Sequence, residues 1–260
     1  VSSPLVLLHA FPLSSAMWER LAPHLADHTV IAVDLPGLGA SPVPADEPTM
    51  RAMATLVLEA LDGQDITSAT FVGLSTGGYV ALQLAADAPE RVDGLVLAST
   101  TCWPIEPDLP DDRRATADEL ERSGSLESVL GSAHDGLGET ARREQPDLEP
   151  LLREIISAGD PTGVAWTARA IASRDDTSTV LAGLDRPVLL LFGEQDTETP
   201  PARGEAMRDL RPASYDTTLV VLPGTGHLTA LEQPMLVAGH LRTWLSATGL
   251  DALPGSHQQG

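Results

Sequence analysis

Gly73-Leu74-Ser75-Thr76-Gly77 fits the pattern G-x-S-x-G. An apolar run, Ala69–Gly73, precedes it, and a helically spaced segment, Thr76 to Ala86, follows. Between a strand and a helix, such a turn holds the serine in a strained backbone conformation. Its small neighbours let strand and helix approach, and Oγ is lifted clear of the sheet. The same turn brings the Thr76 amide to a helix N-terminus, where an oxyanion would be stabilised. The competing reading is a glycine turn that merely contains a serine. A serine hydroxyl is a poor nucleophile without a base. Of seven histidines, His24 and His28 fall on or just after a predicted helix, His134 in the segment between Thr101 and Leu184, His240 on the last helix, and His257 in the tail. His227 differs: it ends the loop Pro223-Gly224-Thr225-Gly226-His227 after the last apolar run, and is the candidate base. Asp196, in Phe192-Gly193-Glu194-Gln195-Asp196, is the candidate acid that orients it, with Glu194 and Glu198 as rivals.

These residues need elements to hold them. Six short runs are nearly continuous in Val, Leu and Ile: Pro4–Leu8, Thr29–Val33, Ala69–Gly73, Gly94–Ala98, Pro187–Phe192 and Thr218–Leu222. Unbroken apolar runs, rather than alternating ones, mark parallel strands buried on both faces. Helix-length segments lie between most of them: Ser15–Ala26 after a Ser14–Ser15 cap, Thr49–Leu61, Thr76–Ala86, and Met235–Leu245 with Pro234 in its first turn. Strand–helix alternation specifies an α/β domain with a mostly parallel sheet. The alternation stops between Thr101 and Leu184, where only helices are read: Arg113–Ser123, Ser125–Ser132, Leu148–Ala158 and Pro161–Ser173. The expected division is a core of residues 1–100 and 186–250, a helical cap of residues 101–185 over the ligand-binding ends of the strands, and a flexible tail of residues 251–260.

The totals narrow the chemistry. The chain has 260 residues and a formal net charge of −21, which argues against nucleic acid and anionic membrane as partners. All 16 basic residues are arginine, so no lysine is available for a Schiff base or pyridoxal phosphate. The single cysteine, Cys102, cannot form an internal disulfide and is read as a buried hydrophobe rather than a catalytic thiol. With no apolar stretch of membrane-spanning length and no recognisable secretory signal, a cytoplasmic location is expected. No zinc-type His/Cys cluster, Walker A or complete dinucleotide fingerprint is present, so neither metal nor cofactor is expected.

The motifs together resemble the α/β-hydrolase-fold serine hydrolases, over essentially the whole chain. The resemblance is carried by Leu8-His9-Ala10-Phe11-Pro12, by Asp34-Leu35-Pro36-Gly37-Leu38-Gly39-Ala40-Ser41, by Gly73–Gly78, by Phe192–Asp196, and by Gly226-His227 with Leu231-Glu232-Gln233-Pro234. The order Ser75, Asp196, His227 is that of this fold. The resemblance implies a parallel twisted sheet with helices on both faces and an inserted helical cap. It also implies the Phe11 amide as an oxyanion donor beside Thr76, and His9 as an organiser of its loop. Two positions depart from the usual pattern: Ala10 stands where Gly is common, and Thr76 where Met often follows the serine. A narrower resemblance, in the segment Asp160–Gly163 through Ala170–Asp175, is to 3-oxoadipate enol-lactonase-like members. It implies a carboxylate-bearing substrate and a pocket-facing cation, supplied by Arg169 or Arg174, unless both sit on a solvated face. Trp103 and Trp166 are read as packing residues or pocket walls.

The expected activity is cleavage of a small-molecule carboxylic ester or lactone through an acyl-enzyme. A lyase, C–C hydrolase, acyltransferase or perhydrolase on the same triad remains open, as does a ligand receptor on the same scaffold. The sequence leaves the oligomeric state open.

Overall fold

The computed structural model describes residues 2–104 and 109–251, with side chains from Asp111 onward in the second segment. Apart from Asp251, the expected tail lies outside the described residues. Six strands form one all-parallel sheet: β1 (Leu5–Leu8), β2 (Val30–Val33), β3 (Ala69–Leu74), β4 (Val92–Ala98), β5 (Val188–Gly193) and β6 (Thr217–Leu222), in the order β2-β1-β3-β4-β5-β6. The physical reason is visible strand by strand. β1, β3 and β5 are buried at every position, whereas the edge strands β2 and β6 are partly exposed. Burial on both faces favours unbroken apolar strands, although the edge strand β2, Val-Ile-Ala-Val, is apolar throughout while partly exposed.

Helices cover both faces of the sheet. α1 (Met50–Asp62) starts at Thr49, whose hydroxyl accepts the Ala52 amide at 3.0 Å. α2 (Thr76–Asp87) follows β3 directly and buries nine of its residues. Between β4 and β5 the chain is helical: α3 (Leu109–Ser123), α4 (Ser132–Asp135), α5 (Glu139–Glu144), α6 (Leu148–Ser157), α7 (Pro161–Ala172) and α8 (Ser178–Gly183). α9 (Pro201–Leu210) links β5 to β6, and α10 (Thr229–Glu232) and α11 (Pro234–Thr248) close the chain.

Two expectations are corrected. Ser15–Ala26 is not one α-helix but two 3₁₀ turns, Ser15–Trp18 and Ala22–Leu25, and Ser14 makes no side-chain capping bond. Pro23 explains the break, because it has no N–H to continue an α-helical ladder. Met17, Trp18, Leu21 and Leu25 are buried all the same, so the apolar spacing recorded burial rather than helix type. The segment read as a helix over Ser125–Ser132 is a 3₁₀ turn, Glu127–Val129, followed by the start of α4.

The parallel register delivers one consequence for chemistry. Every strand runs the same way, so the loops that follow them emerge at one edge of the sheet. His9, Ser75, Ser99, Glu194 and Pro223 are the first residues after β1, β3, β4, β5 and β6.

Candidate active site

Ser75 sits between β3 and α2 with φ 54° and ψ −113°, a conformation that an L-residue adopts only under constraint. The constraints are local. Its amide donates to the Ala98 carbonyl at 2.9 Å, and its own carbonyl accepts from Thr100 Oγ1 at 2.8 Å and the Gly78 amide at 2.9 Å. The close approach of strand and helix depends on the absence of side chains beside the serine. A Cβ on Gly73 would fall 2.3 Å from the Gly77 carbonyl oxygen, and one on Gly77 would fall 2.0 Å from that of Leu8. The glycines of the pentapeptide therefore permit the geometry that exposes the serine.

Ser75, Thr76, Phe11 and His227 line one cavity of about 480 Å³. The backbone around Phe11 is set by His9, which is fully buried. Its Nδ1 donates to the Ala10 carbonyl at 3.0 Å, and its Nε2 accepts the Leu35 amide at 2.9 Å. Burial pushes its pKa down to about 4, against the pull of the Ala10 carbonyl and the Asp34 charge, so the ring is neutral and in a single tautomer. Asp34 in turn accepts the amides of Ser15 at 2.7 Å and Ala40 at 2.8 Å, tying the loops after β1 and β2 together. Ala10, where glycine is common, is accommodated in the interior with 1% exposure.

His227 and Asp196 are both buried, and Nδ1 of the histidine lies 2.9 Å from Oδ2 and 3.1 Å from Oδ1 of the aspartate. Asp196 Oδ1 also accepts the amides of Glu198 at 2.9 Å and Thr199 at 2.8 Å, so the carboxylate is fixed before it meets the ring. The rivals are engaged elsewhere. Glu194 accepts the Gly224 amide at 2.9 Å, and Glu198 approaches the opposite ring nitrogen, Nε2, at 3.8 Å. Burial pulls the His227 pKa down, but the Asp196 hydrogen bond and the charges of Glu198, Asp196 and Glu232 outweigh it, leaving a net rise above 6.5.

The helical segment between β4 and β5 supplies one wall, through Arg113, Thr116, Ser132, Gly136, Ile171 and Arg174. Of the two arginines singled out from sequence, only Arg174 faces the cavity, with its guanidinium 3.9 Å from the centroid of the Tyr79 ring. Arg169 is a correction: it pairs with Asp118 at 2.7 Å and Glu121 at 2.8 Å, across to α3. Trp166 is another, since it is buried and its Nε1 donates to the Asp46 carbonyl at 2.9 Å, away from the cavity. Trp103 is not among the residues that line the cavity, although Thr101 and Pro104 are, and Arg203 lies 5.9 Å from its ring centroid. Sequence reasoning missed Arg113, which lies 5.2 Å from the Phe11 ring centroid, and Arg203, which also lines the cavity. Neither carries a local motif; only the packing of α3 and α9 brings them there. Cys102 is buried, and burial pushes its thiol up to about 12, which makes it inert as a nucleophile. Among the described residues no group of acidic, histidine or cysteine side chains could hold a metal ion, and no helix is long and apolar enough to cross a membrane.

A family model described as the alpha/beta hydrolase fold matches residues 3–234. A pimeloyl-[acyl-carrier protein] methyl ester esterase of Klebsiella pneumoniae (strain 342) is 33% identical over 246 residues, covering 89% of this chain and 91% of its own. Among solved structures, a thermophilic esterase from Thermogutta terrifontis, malate bound, superposes with a TM-score of 0.90 at 33% identity, covering 95% of this chain and 91% of that one. An enol-lactonase from Burkholderia xenovorans LB400 has a TM-score of 0.84 at 22% identity, covering 95% and 92%, which shows the fold alone.

Proposed function

The chain belongs to the α/β-hydrolase fold family as an enzyme of the carboxylic ester hydrolase type, and on that premise we propose that it cleaves a small carboxylic ester through an acyl-enzyme on Ser75. In this reading His227 Nε2 takes the Ser75 proton as Oγ attacks the ester carbonyl. The resulting oxyanion is held by the amides of Phe11 and Thr76. Collapse expels the alcohol, which leaves with the proton from His227. Water, deprotonated by His227, then attacks the acyl group, and the acid departs with Ser75 restored. Asp196 keeps Nδ1 protonated and stabilises the imidazolium. Residues 101–185 act as a cap over the strand ends, and residues 1–100 and 186–250 as the catalytic core. One observation carries the reading: a positive-φ serine at a strand–helix turn shares a cavity with a histidine that is hydrogen-bonded to a buried carboxylate.

The test is hydrolysis of p-nitrophenyl acetate by wild type and Ser75→Ala, with fluorophosphonate labelling. Labelling at Ser75, and a loss of turnover in the variant of roughly 10⁴-fold or more, is expected. A folded wild type that neither labels nor turns over would overturn the reading. A narrower second reading is favoured by the Klebsiella relative: the methyl ester of an acyl group on a carrier protein. Turnover of the carrier-bound ester well above that of the free methyl ester would select it. Thioester and peroxide donors in the same panel separate hydrolysis from acyl transfer and perhydrolysis.

A further inference from the structure

Glu198 shares the cavity with Ser75 and His227, and its Oε2 lies 3.8 Å from His227 Nε2. That nitrogen is the one left to serve the reaction, because Nδ1 is taken by Asp196. The placement follows from the chain. Asp196 Oδ1 accepts the amides of Glu198 at 2.9 Å and Thr199 at 2.8 Å, so the turn that holds a carboxylate against one ring nitrogen also starts the Glu198 side chain towards the other. The Glu198 carboxylate accepts no hydrogen bond among the described residues, and its side chain is 44% exposed, within reach of water. When Nδ1 carries the proton, Nε2 is an acceptor, and the ionised Glu198 is an acceptor too. Two acceptors 3.8 Å apart are too distant to bond and have no proton to share. They are close enough for one oxygen to donate to both: with contacts of about 2.8 Å to each, the angle at that oxygen is about 85°. Water has the two O–H donors that this arrangement takes, and a simple alcohol has one.

We propose that Glu198 positions the hydrolytic water, so that the acyl-enzyme on Ser75 is passed to water in preference to an alcohol. The proposal rests on the hydrolase reading above and deepens it by naming the group that selects the acyl acceptor. Water donates one O–H to His227 Nε2 and the other to Glu198 Oε2, which turns a lone pair of its oxygen away from both and towards the acyl carbon. As the new C–O bond forms, the first proton passes to Nε2, while the second stays on the oxygen and on its hydrogen bond to Glu198. Collapse breaks the bond from the acyl carbon to Ser75 Oγ. Oγ recovers the proton from Nε2, and the carboxylic acid leaves. An alcohol placed at Nε2 spends its single O–H there and turns its alkyl group to the carboxylate, which is desolvated without gaining a donor.

The experiment turns over p-nitrophenyl acetate in buffer containing ethanol and measures acetate and ethyl acetate. Both products come from one acyl-enzyme and use one base, so the rate of acylation, the protonation of His227 and the oxyanion amides divide out of their ratio. Glu198→Ala should raise ethyl acetate relative to acetate by about tenfold or more, the loss of one charge-assisted hydrogen bond. Glu198→Gln keeps a carbonyl acceptor at the same place and should fall between wild type and Glu198→Ala. A ratio unmoved in Glu198→Ala, or moved as far by Glu198→Gln, overturns the proposal. Neither substitution takes a hydrogen bond from the fold, because Glu198 is held through its backbone amide. Release of p-nitrophenol and fluorophosphonate labelling of Ser75 keep the two failures apart. Both present with an unmoved ratio remove the role of Glu198 and leave the hydrolase. Both absent in the folded wild type remove the hydrolase, and the proposal with it.

Discussion

In the proposed reaction His227 must be neutral to take a proton, and its surroundings favour the charged form. Burial opposes the charge, yet the Asp196 hydrogen bond and the acidic groups facing the ring raise its pKa above 6.5. The reaction needs the deprotonated base, so kcat/KM should rise with pH through a midpoint above 6.5. The linked stability has the opposite sense. A raised histidine pKa stabilises the fold fully below 6.5, and this contribution is lost as pH climbs through the folded value. Rate thus rises over the window in which the linkage weakens. Asp196→Asn removes the acceptor that fixes Nδ1–H. It should lower the midpoint and cut the rate by roughly 10³–10⁴-fold, with circular dichroism reporting an intact fold. A midpoint that stays in place would mean Asp196 does not set the ring's charge. At this scale the sequence singled out Ser75, Asp196 and His227 because each follows a strand end beside glycines. It was uninformative about Arg113, which is one solvent-type arginine among several on α3 until the fold turns it onto Phe11. Arg169 and Arg174 looked equivalent on one segment. Arg169 is on α7, whereas Arg174 follows the end of that helix at Ala172, and so they serve different neighbours.

The loops that carry Asp196 and His227 are both tied to the start of α5. Glu232, at the end of α10, is buried, and its Oε2 accepts the Gly226 amide at 2.9 Å and the Gly138 amide at 3.1 Å. Gln195, beside Asp196, accepts the Thr140 amide and donates to its hydroxyl, both at 2.9 Å. One turn of the helical segment therefore braces the residue before His227 and the residue before Asp196. Because both amides meet the same oxygen of Glu232, a neutral amide side chain can still accept them. Glu232→Gln should be mild, whereas Glu232→Ala leaves two buried donors unpaired and should cost about 1–3 kcal/mol in urea unfolding, with a fall in kcat. Equal effects of the two variants would show that charge, not acceptance, matters there. Sequence reading placed Leu231-Glu232-Gln233-Pro234 in a motif but could not see this strap, because its partner lies far away along the chain. Elements show the same limit. The parallel strands were legible because burial on both faces dictates their composition. α9 was not, because it buries only Gly204 and Met207 and opens with two prolines that read as loop.

How the helical segment sits on the sheet decides the shape of the cavity as a whole, and one glycine contact sets that seating. α7 docks against the loop after β2, where Trp166 Nε1 reaches the Asp46 carbonyl at 2.9 Å and Thr167 Oγ1 the Pro36 carbonyl at 3.3 Å. At the closest point Gly163 meets Gly37, and a Cβ on Gly163 would lie 1.8 Å from the Gly37 carbonyl oxygen. That oxygen is backbone, in a turn where Gly37 has φ 82°, so it cannot swing aside as a side-chain end can. Gly163→Ala must therefore lift α7 from the core or distort the turn, at a cost of about 1–3 kcal/mol for overpacking. α7 carries Ile171 and leads into Arg174, both on the cavity wall, whereas Ser75, His227 and Asp196 are seated on strand ends. A shift of α7 should consequently raise KM more than it lowers kcat, and leave fluorophosphonate labelling of Ser75 close to wild type. Steady-state kinetics together with thermal unfolding would check this. A variant as stable as wild type with unchanged KM would mean that the seating of α7 does not shape the site. Loss of labelling would mean that the helical segment holds the serine turn itself, which the hydrogen bonds of Ser75 to Ala98 and Thr100 argue against.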